Sequence, residues 1–425
     1  MILTDRATGA RAYIPLVRSP PPSIGFKQFV ALIASLTALN ALAIDSMLPA
    51  LPQIGASLHA ATDNERQWVI TAYLLGVSSS QMIYGVLADR FGRKRILLTG
   101  VSIYACFAIV AAFATSMPQL IAARALMGAG AAAVQVLCVS IVRDRYSGAQ
   151  MARVMSLTFM VFLTAPVLAP SIGQAIMLMS SWRMIFGFLA TFSLVLLTWA
   201  ALRLPETLHA EDRLPLEIGR VAQAFRAVIG SRVTVGYMFA AACVLGGLFG
   251  FINSVQQVFT DMFHAPTVFP LIFACVAIGM AISSLLNSRI VVRLGARYVS
   301  HRALLGYVGF GALHHLVART GHETIVTFAV LQGGMLFCFG MVVANFSSIA
   351  MEPLGQVAGT GSSVYGSITM AVGSSLGFLI GQQFDGTAIP LTLGYVLCGL
   401  TALGIVVVTE RGALFGRARR PVSHE

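Results

Sequence analysis

The stretch Gly85-Val-Leu-Ala-Asp-Arg-Phe-Gly-Arg-Lys-Arg95 decides how this chain folds. It sets one acid, three arginines, one lysine and two glycines between two long apolar runs. A turn so short and so charged, flanked by runs of about 20 apolar residues, predicts a tight loop joining two membrane-spanning helices. Gly85 lets neighbouring helices approach closely, and Gly92 can take a backbone angle that other residues resist. The cations would hold such a loop on the cytoplasmic side.

Composition extends this reading to the whole chain. Of 425 residues, 57% are hydrophobic and only 10% charged, and the mean hydropathy is +0.82. A soluble domain carries about 25% charged residues, so an all-α membrane protein in a lipid bilayer is expected. The net charge of +12 raises the question of nucleic acid. The cations are scattered over short loops, however, a distribution that membrane topology explains and a nucleic-acid surface does not. The six cysteines (Cys106, Cys138, Cys243, Cys275, Cys338 and Cys398) lie inside apolar runs without metal-ligand spacing. They are expected to pack, not to bind metal or pair. No nucleophile–base pair stands out, so no enzymatic activity is expected, and no cofactor beyond a proton gradient.

Twelve spans emerge, at 28–50, 67–88, 96–115, 119–142, 152–178, 183–203, 233–258, 267–290, 301–318, 324–347, 356–383 and 388–409. They form two six-helix halves, 28–203 and 233–409, joined by the polar linker 204–232 and flanked by tails 1–27 and 410–425. The first tail carries Arg6, Arg11 and Arg18 and three consecutive prolines, without the apolar core of a cleavable signal. With both termini inside, most of the 28 Lys and Arg residues fall in cytoplasmic segments; Arg66, Arg124, Arg183 and Arg319 are the exceptions. That asymmetry predicts cytoplasmic termini in an inner membrane.

Two charges sit within spans. Asp45, in Ala43-Ile-Asp-Ser-Met-Leu-Pro-Ala-Leu-Pro52, would cost roughly 2.5 kcal/mol or more facing lipid, so it should face the bundle interior. Burial disfavours a charged carboxyl, which suits a proton carrier. The alternative is an acid near the outer helix end that reaches water. Arg124, in Ala122-Ala-Arg-Ala-Leu-Met-Gly-Ala-Gly130, lies about 9 to 10 Å deep if its helix enters near Met117, a depth similar to that of Asp45. It is a candidate partner for Asp45, with snorkelling to the interface as the alternative. Gln135 shares its face. Further cavity candidates are Asn40, Tyr73, Gln81, Asn253, Gln256, Asn345 and Tyr365, polar groups in spans that can equally bond helix to helix. His314 and His315 point about 100° apart on a helix, so both cannot face one site, and a structural role is expected.

The opening stretch, read as G-x-L-A-D-R-x-G-R-K-R, resembles the loop between the second and third helices of the major facilitator superfamily. A degenerate copy lies in the second half, where Arg293, Gly295 and Arg297 match Arg90, Gly92 and Lys94, while Val292 replaces Asp89. By this resemblance the loop is a gate latch. Asp89 would meet a helix N-terminus of the other half, with Arg90 and Arg93 pairing acids such as Asp144. Loss of the acid at Val292 suggests no equivalent latch in the second half.

Arg124 to Gly130 resembles the superfamily's fourth-helix motif, in which the arginine is implicated in proton coupling. Ala165-Pro-Val-Leu-Ala-Pro-Ser-Ile-Gly-Gln174 resembles the antiporter signature G-x-x-x-G-P-x-x-G-G, with alanines for the first two glycines. Pro166 and Pro170 should bend this helix, and the small residues through Gly173 should pack closely on a neighbour. Trp182-Arg-Met-Ile-Phe186, Leu204-Pro-Glu-Thr-Leu208 and Glu352-Pro-Leu-Gly-Gln-Val-Ala-Gly-Thr360 are similar to the Bcr/CflA branch of twelve-span drug:proton antiporters. The resemblance implies a monomer exporting small, largely apolar compounds in exchange for protons. The alternative is a proton symporter importing a small metabolite.

Overall fold

The computed structural model describes residues 3–4, 11–12, 24–208, 211, 213 and 218–416. Most of the expected N-terminal tail, part of the linker and residues 417–425 lie outside the described residues. Apart from a two-residue antiparallel pairing of Leu3–Thr4 with Arg11–Ala12, the described residues form helices and their connections. Helices are what apolar surroundings demand, because each satisfies its backbone N–H and C=O groups internally.

The first half contains α1 Phe26–Asp45, the short α2 Leu51–Ser57, α3 Trp68–Phe91, α4 Arg93–Ala112, α5 Met117–Arg145, α6 Gly148–Met179 and α7 Trp182–Arg203. After α8 Ile218–Gly230 come α9 Arg232–Gln257, α10 Phe269–Leu294, α11 Ala296–Arg319, α12 Ile325–Met351, α13 Ala358–Gln382 and α14 Ile389–Thr409. The first expected span breaks early. Pro49 and Pro52 lack the N–H that a continuing helix needs, so the chain leaves α1 at Asp45 and passes through a 3₁₀ turn, Leu48–Ala50, into α2. Asp45 therefore ends a helix and does not sit inside one.

Eleven helical stretches among the described residues are long and apolar enough to cross a membrane. The remaining expected span, 301–318, corresponds to α11, a helix of 24 residues that carries Arg302, His301, His314 and His315. It is shielded by α12 and α14, and His301 and His314 are buried. Many large apolar side chains elsewhere stay exposed, Met179 and Phe113 among them, as a lipid-facing surface requires.

Helices α1, α3, α4, α5, α6 and α7 pack among themselves, as do α9 to α14. The two bundles meet mainly where α3 lies on α13 and α6 on α10. The repeat suspected from the sequence recurs in the backbone. A single glycine turns α3 into α4 and α10 into α11, with φ 99°, ψ 148° at Gly92 and φ 85°, ψ 150° at Gly295. Only glycine takes such a conformation cheaply. With α11 counted beside the eleven stretches, twelve helices cross among the described residues, which puts the start of α1 and the end of α14 on one face.

Candidate functional site

A cavity of about 430 Å³ opens chiefly along α1, α3, α5 and α6, with Leu248, Phe249, Ile252 and Met370 closing it from the second bundle. Asp45 is its only Asp, Glu, Lys, Arg or His among the described residues. The other polar lining comes from Thr37, Asn40, Tyr73, Gln135 and Thr158. Asp45 is 6% exposed and pairs with no cation among the described residues. The carbonyl end of α1 also sets partial negative charge beside it. The cavity gives the carboxyl a route to a ligand.

Arg124 is fully buried on α5, as the sequence suggested, but it is not the ion-pair partner of Asp45. Its Nε donates to the carbonyl of Val69 at 2.8 Å and its Nη2 to that of Ala43 at 3.1 Å. The guanidinium lies over the Tyr73 ring, 4.4 Å from the centroid, and Nη1 has no hydrogen-bond partner among the described residues. Arg124 thus ties the start of α3 to the last turn of α1, two residues before Asp45. Tyr73 extends the chain by donating its hydroxyl to Asn40 Oδ1 at 2.7 Å, at the cavity wall. Close backbone approach makes this possible: a Cβ at Gly128 would fall 2.0 Å from the Tyr73 carbonyl oxygen.

The antiporter-like segment supports the other side of Asp45. Pro166 and Pro170 lie within α6, Ala165 packs with Ala38 and Ala41 of α1, and Pro166 lines the cavity. Gly173 meets the break after α1, where an added Cβ would fall 2.1 Å from the Ser46 carbonyl oxygen. Backbone cannot yield as a flexible side chain can. Gly173→Ala is therefore expected to lower transport by about tenfold, the effect of 1.4 kcal/mol, by displacing Asp45. Gly187→Ala, which has nothing within 4 Å, should be neutral. Parallel transport and thermal-stability assays of the two variants check this.

The remaining cavity candidates separate. Gln81 and Gln135 line a second cleft with Gly85, Asp89, Arg93, Ser362 and Ser363. Asn253 accepts from Thr71 at 3.4 Å across the two bundles. Gln256 is buried and donates to Thr260, and Asn345 donates to Asn287 within the second bundle. Tyr365 is buried on α13 outside the cavity lining.

At the α3–α4 turn, Arg93 bonds Asp89 at 2.6 Å and Asp144 at 3.1 Å, while Arg90 is exposed and forms no ion pair among the described residues. The first turns of α13 face Asp89 across the cleft through Ser362 and Ser363. The structure adds Glu206, which accepts from the backbone N–H of Arg93 at 2.8 Å and of Lys94 at 3.2 Å, at the N-terminus of α4. An acid there complements the helix dipole.

The second half, where the sequence suggested no equivalent latch, holds a charge cluster of its own within one bundle. Arg297 bridges Glu352 and Glu410, each at 2.9 Å, and Tyr237 donates to Glu410 at 2.7 Å. The acid missing at Val292 is supplied from the ends of α12 and α14. Burial pushes the Glu410 carboxyl up, but hydrogen bonds from Tyr237 and Arg297 and the Arg297 charge hold it below its ordinary value.

A seam on the face opposite the termini was not anticipated. Arg66 pairs with Asp261 at 2.9 Å, the latter on a π-helical turn, Val258–Met262, that continues α9. Gln67 donates to Gln257 at 2.6 Å and to the Gly381 carbonyl at 2.9 Å, and Asn64 donates to the Gln382 carbonyl at 3.0 Å. These contacts join the two bundles above the cavity. Asp261→Asn should raise labelling of a cysteine placed at buried Thr71 by a membrane-impermeant maleimide about threefold, the effect of roughly 0.7 kcal/mol for a pair with one partner open to solvent. The swapped pair Arg66→Asp with Asp261→Arg should restore slow labelling.

Comparison with known proteins is consistent with this geometry. A family model described as Major Facilitator Superfamily matches residues 33–378. A Haemophilus influenzae protein described as a bicyclomycin resistance protein homolog is 30% identical over 394 residues, covering 90% of this chain and 96% of its own. Multidrug resistance protein MdtL of Salmonella paratyphi A is 25% identical, covering 90% and 94%. Among solved structures, a D-xylose-proton symporter superposes with a TM-score of 0.71 at 14% identity, covering 90% of this chain and 97% of its own. The human organic anion transporter MFSD10 gives 0.67 at 18% identity, covering 92% and 99%.

Proposed function

We infer function from one premise: the chain belongs to the major facilitator superfamily. It is a secondary transporter, and we propose that it exports small, largely apolar compounds from the cytoplasm in exchange for protons. The observation that carries this reading is Asp45, the one carboxyl among the described residues of a cavity that is otherwise uncharged and largely apolar. Such a wall suits neutral or cationic lipophiles, and a carboxyl without a cationic partner can exchange a proton for such a ligand. The names of the resistance relatives support the outward direction.

In this reading both termini are cytoplasmic, so the Arg66–Asp261 seam seals the outer face and the cavity serves the inner one. Asp45 takes up a proton when the seam opens, and the compound leaves. After reorientation, compound binding and proton release become mutually favourable. Each ligand shifts the switch only by its differential affinity for the two states. The protein works as a monomer in the inner membrane, and nothing in the cycle needs catalysis or a bound cofactor.

Proteoliposomes with an acidic lumen test the direction. A lipophilic cation such as tetraphenylphosphonium should accumulate inside, because an antiporter moves protons out and compound in whichever way it is inserted. Accumulation driven only by an alkaline lumen would identify a symporter.

A further inference from the structure

The linker between the bundles, polar by its sequence, carries a helix with an uncovered apolar face. α8 packs against α9, α13 and the 3₁₀ turn Glu352–Val357 that follows α12. Successive residues turn about 100° around a helix, so its sides can be told apart. Val228 turns into the protein and is fully buried. Phe225 and Ile229, four residues apart, share the next side round, and the protein leaves them 41% and 55% exposed. Arg226 and Gln223 follow beyond them, both exposed. Around the helix the order is therefore protein contact, bare apolar pair, polar flank.

The position of α8 says what covers that pair. It lies on the face of the termini, between the end of α7 and the start of α9. One residue, Ser231, separates it from α9, the next helix long and apolar enough to cross the membrane. The backbone is extended there, with φ −96° and ψ 109°, and the Ser231 hydroxyl caps α9 by accepting from the N–H of Thr234 at 3.2 Å. Three residues span no more than about 11 Å, so Ile229 stays that close to Arg232, where α9 enters the apolar layer. Two large apolar side chains held at that depth have acyl chains within reach, and leaving water for them is favourable.

Charge points to the same partner. Residues 218–232 carry Arg220, Arg226 and Arg232 and no acid. Arg226 lies about 60° round the helix from Ile229, so its stem can run along the apolar side while the guanidinium stays among headgroups. We propose that α8 is an interfacial helix: Phe225 and Ile229 enter the leaflet on the side of the termini, and Arg226 binds its anionic phospholipid headgroups. The linker is then an arm seated in the bilayer, pressed against α13, the helix on which α3 of the first bundle lies. This goes beyond the proposed exchange cycle and does not depend on which compound is carried or in which direction.

Nanodiscs that hold one copy of the full-length protein leave both faces open to water and exclude a second copy as the cover. Gln223→Cys, Phe225→Cys and Ile229→Cys are made singly and reacted with an uncharged polyethylene-glycol maleimide, against the background of the six native cysteines, which lie inside apolar runs. In mixed phosphatidylcholine and phosphatidylglycerol, Gln223→Cys should react as an open thiol. Phe225→Cys and Ile229→Cys should react about tenfold more slowly, because reaction requires lifting the remaining apolar side chain out of the bilayer. In phosphatidylcholine alone the two slow sites should speed up about fivefold relative to Gln223→Cys, the effect of one arginine at an anionic surface. Arg226→Gln, added to Ile229→Cys, should remove most of that difference. Equal rates at all three positions would place α8 in water and overturn the proposal. Rates indifferent to phosphatidylglycerol would overturn it too, and Ile229→Cys decides alone if Phe225→Cys fails to fold.

Discussion

Asp45→Asn is expected to abolish pH-driven accumulation, down to the level of empty liposomes, while leaving counterflow of the same lipophilic cation largely intact. Asparagine keeps the size and much of the polarity of the side chain but can neither bind nor release a proton. Counterflow needs only that the loaded carrier reorient, so it does not call on the lost proton. The split between the two assays matters because a structural role for Asp45 would lower both. The position makes that role less economical: Asp45 ends α1 at a proline-imposed break, lines the cavity and bonds no cation among the described residues.

The second large effect is at Arg124. Arg124→Lys keeps the charge but not the fork that spans the carbonyls of Ala43 and Val69. An ammonium on a flexible stem cannot hold both while lying over the Tyr73 ring. Losing one charge-assisted hydrogen bond of about 2 kcal/mol corresponds to roughly 30-fold in transport, with the folded state retained. Arg124→Ala removes both contacts together with the buried bulk of the side chain and is expected to compromise folding as well. Measuring transport together with unfolding temperature separates the two. If lysine matches arginine in both, the bidentate clamp has no role.

Much of the architecture is legible in the sequence because apolar length, loop charge and glycine position are local properties. The α3–α4 turn, the matching turn at Gly295 and the burial of Asp45 and Arg124 follow from such properties. What escapes is set by distant partners. Nothing near Arg66 announces Asp261, and nothing near Arg93 announces Glu206, because each pair closes only when separate helix ends meet. The same limit separates Asn40 and Tyr73, which line the cavity, from Asn345, which bonds Asn287 instead. All three are polar groups in apolar helices, and only packing decides which face looks inward. Pro49 accounts for the end of α1 at Asp45 locally, but the seating of Gly173 of α6 against that break is again a matter of distant partners.

The central claim, that Asp45 exchanges a proton for the transported compound, is tested most directly by proton release on ligand binding. Purified protein in weakly buffered detergent solution is mixed with tetraphenylphosphonium and the pH followed with a dye. Wild type should release protons in proportion to the ligand bound, and Asp45→Asn should bind it with no release. Equal release from both proteins, or binding by wild type with none, would contradict the account.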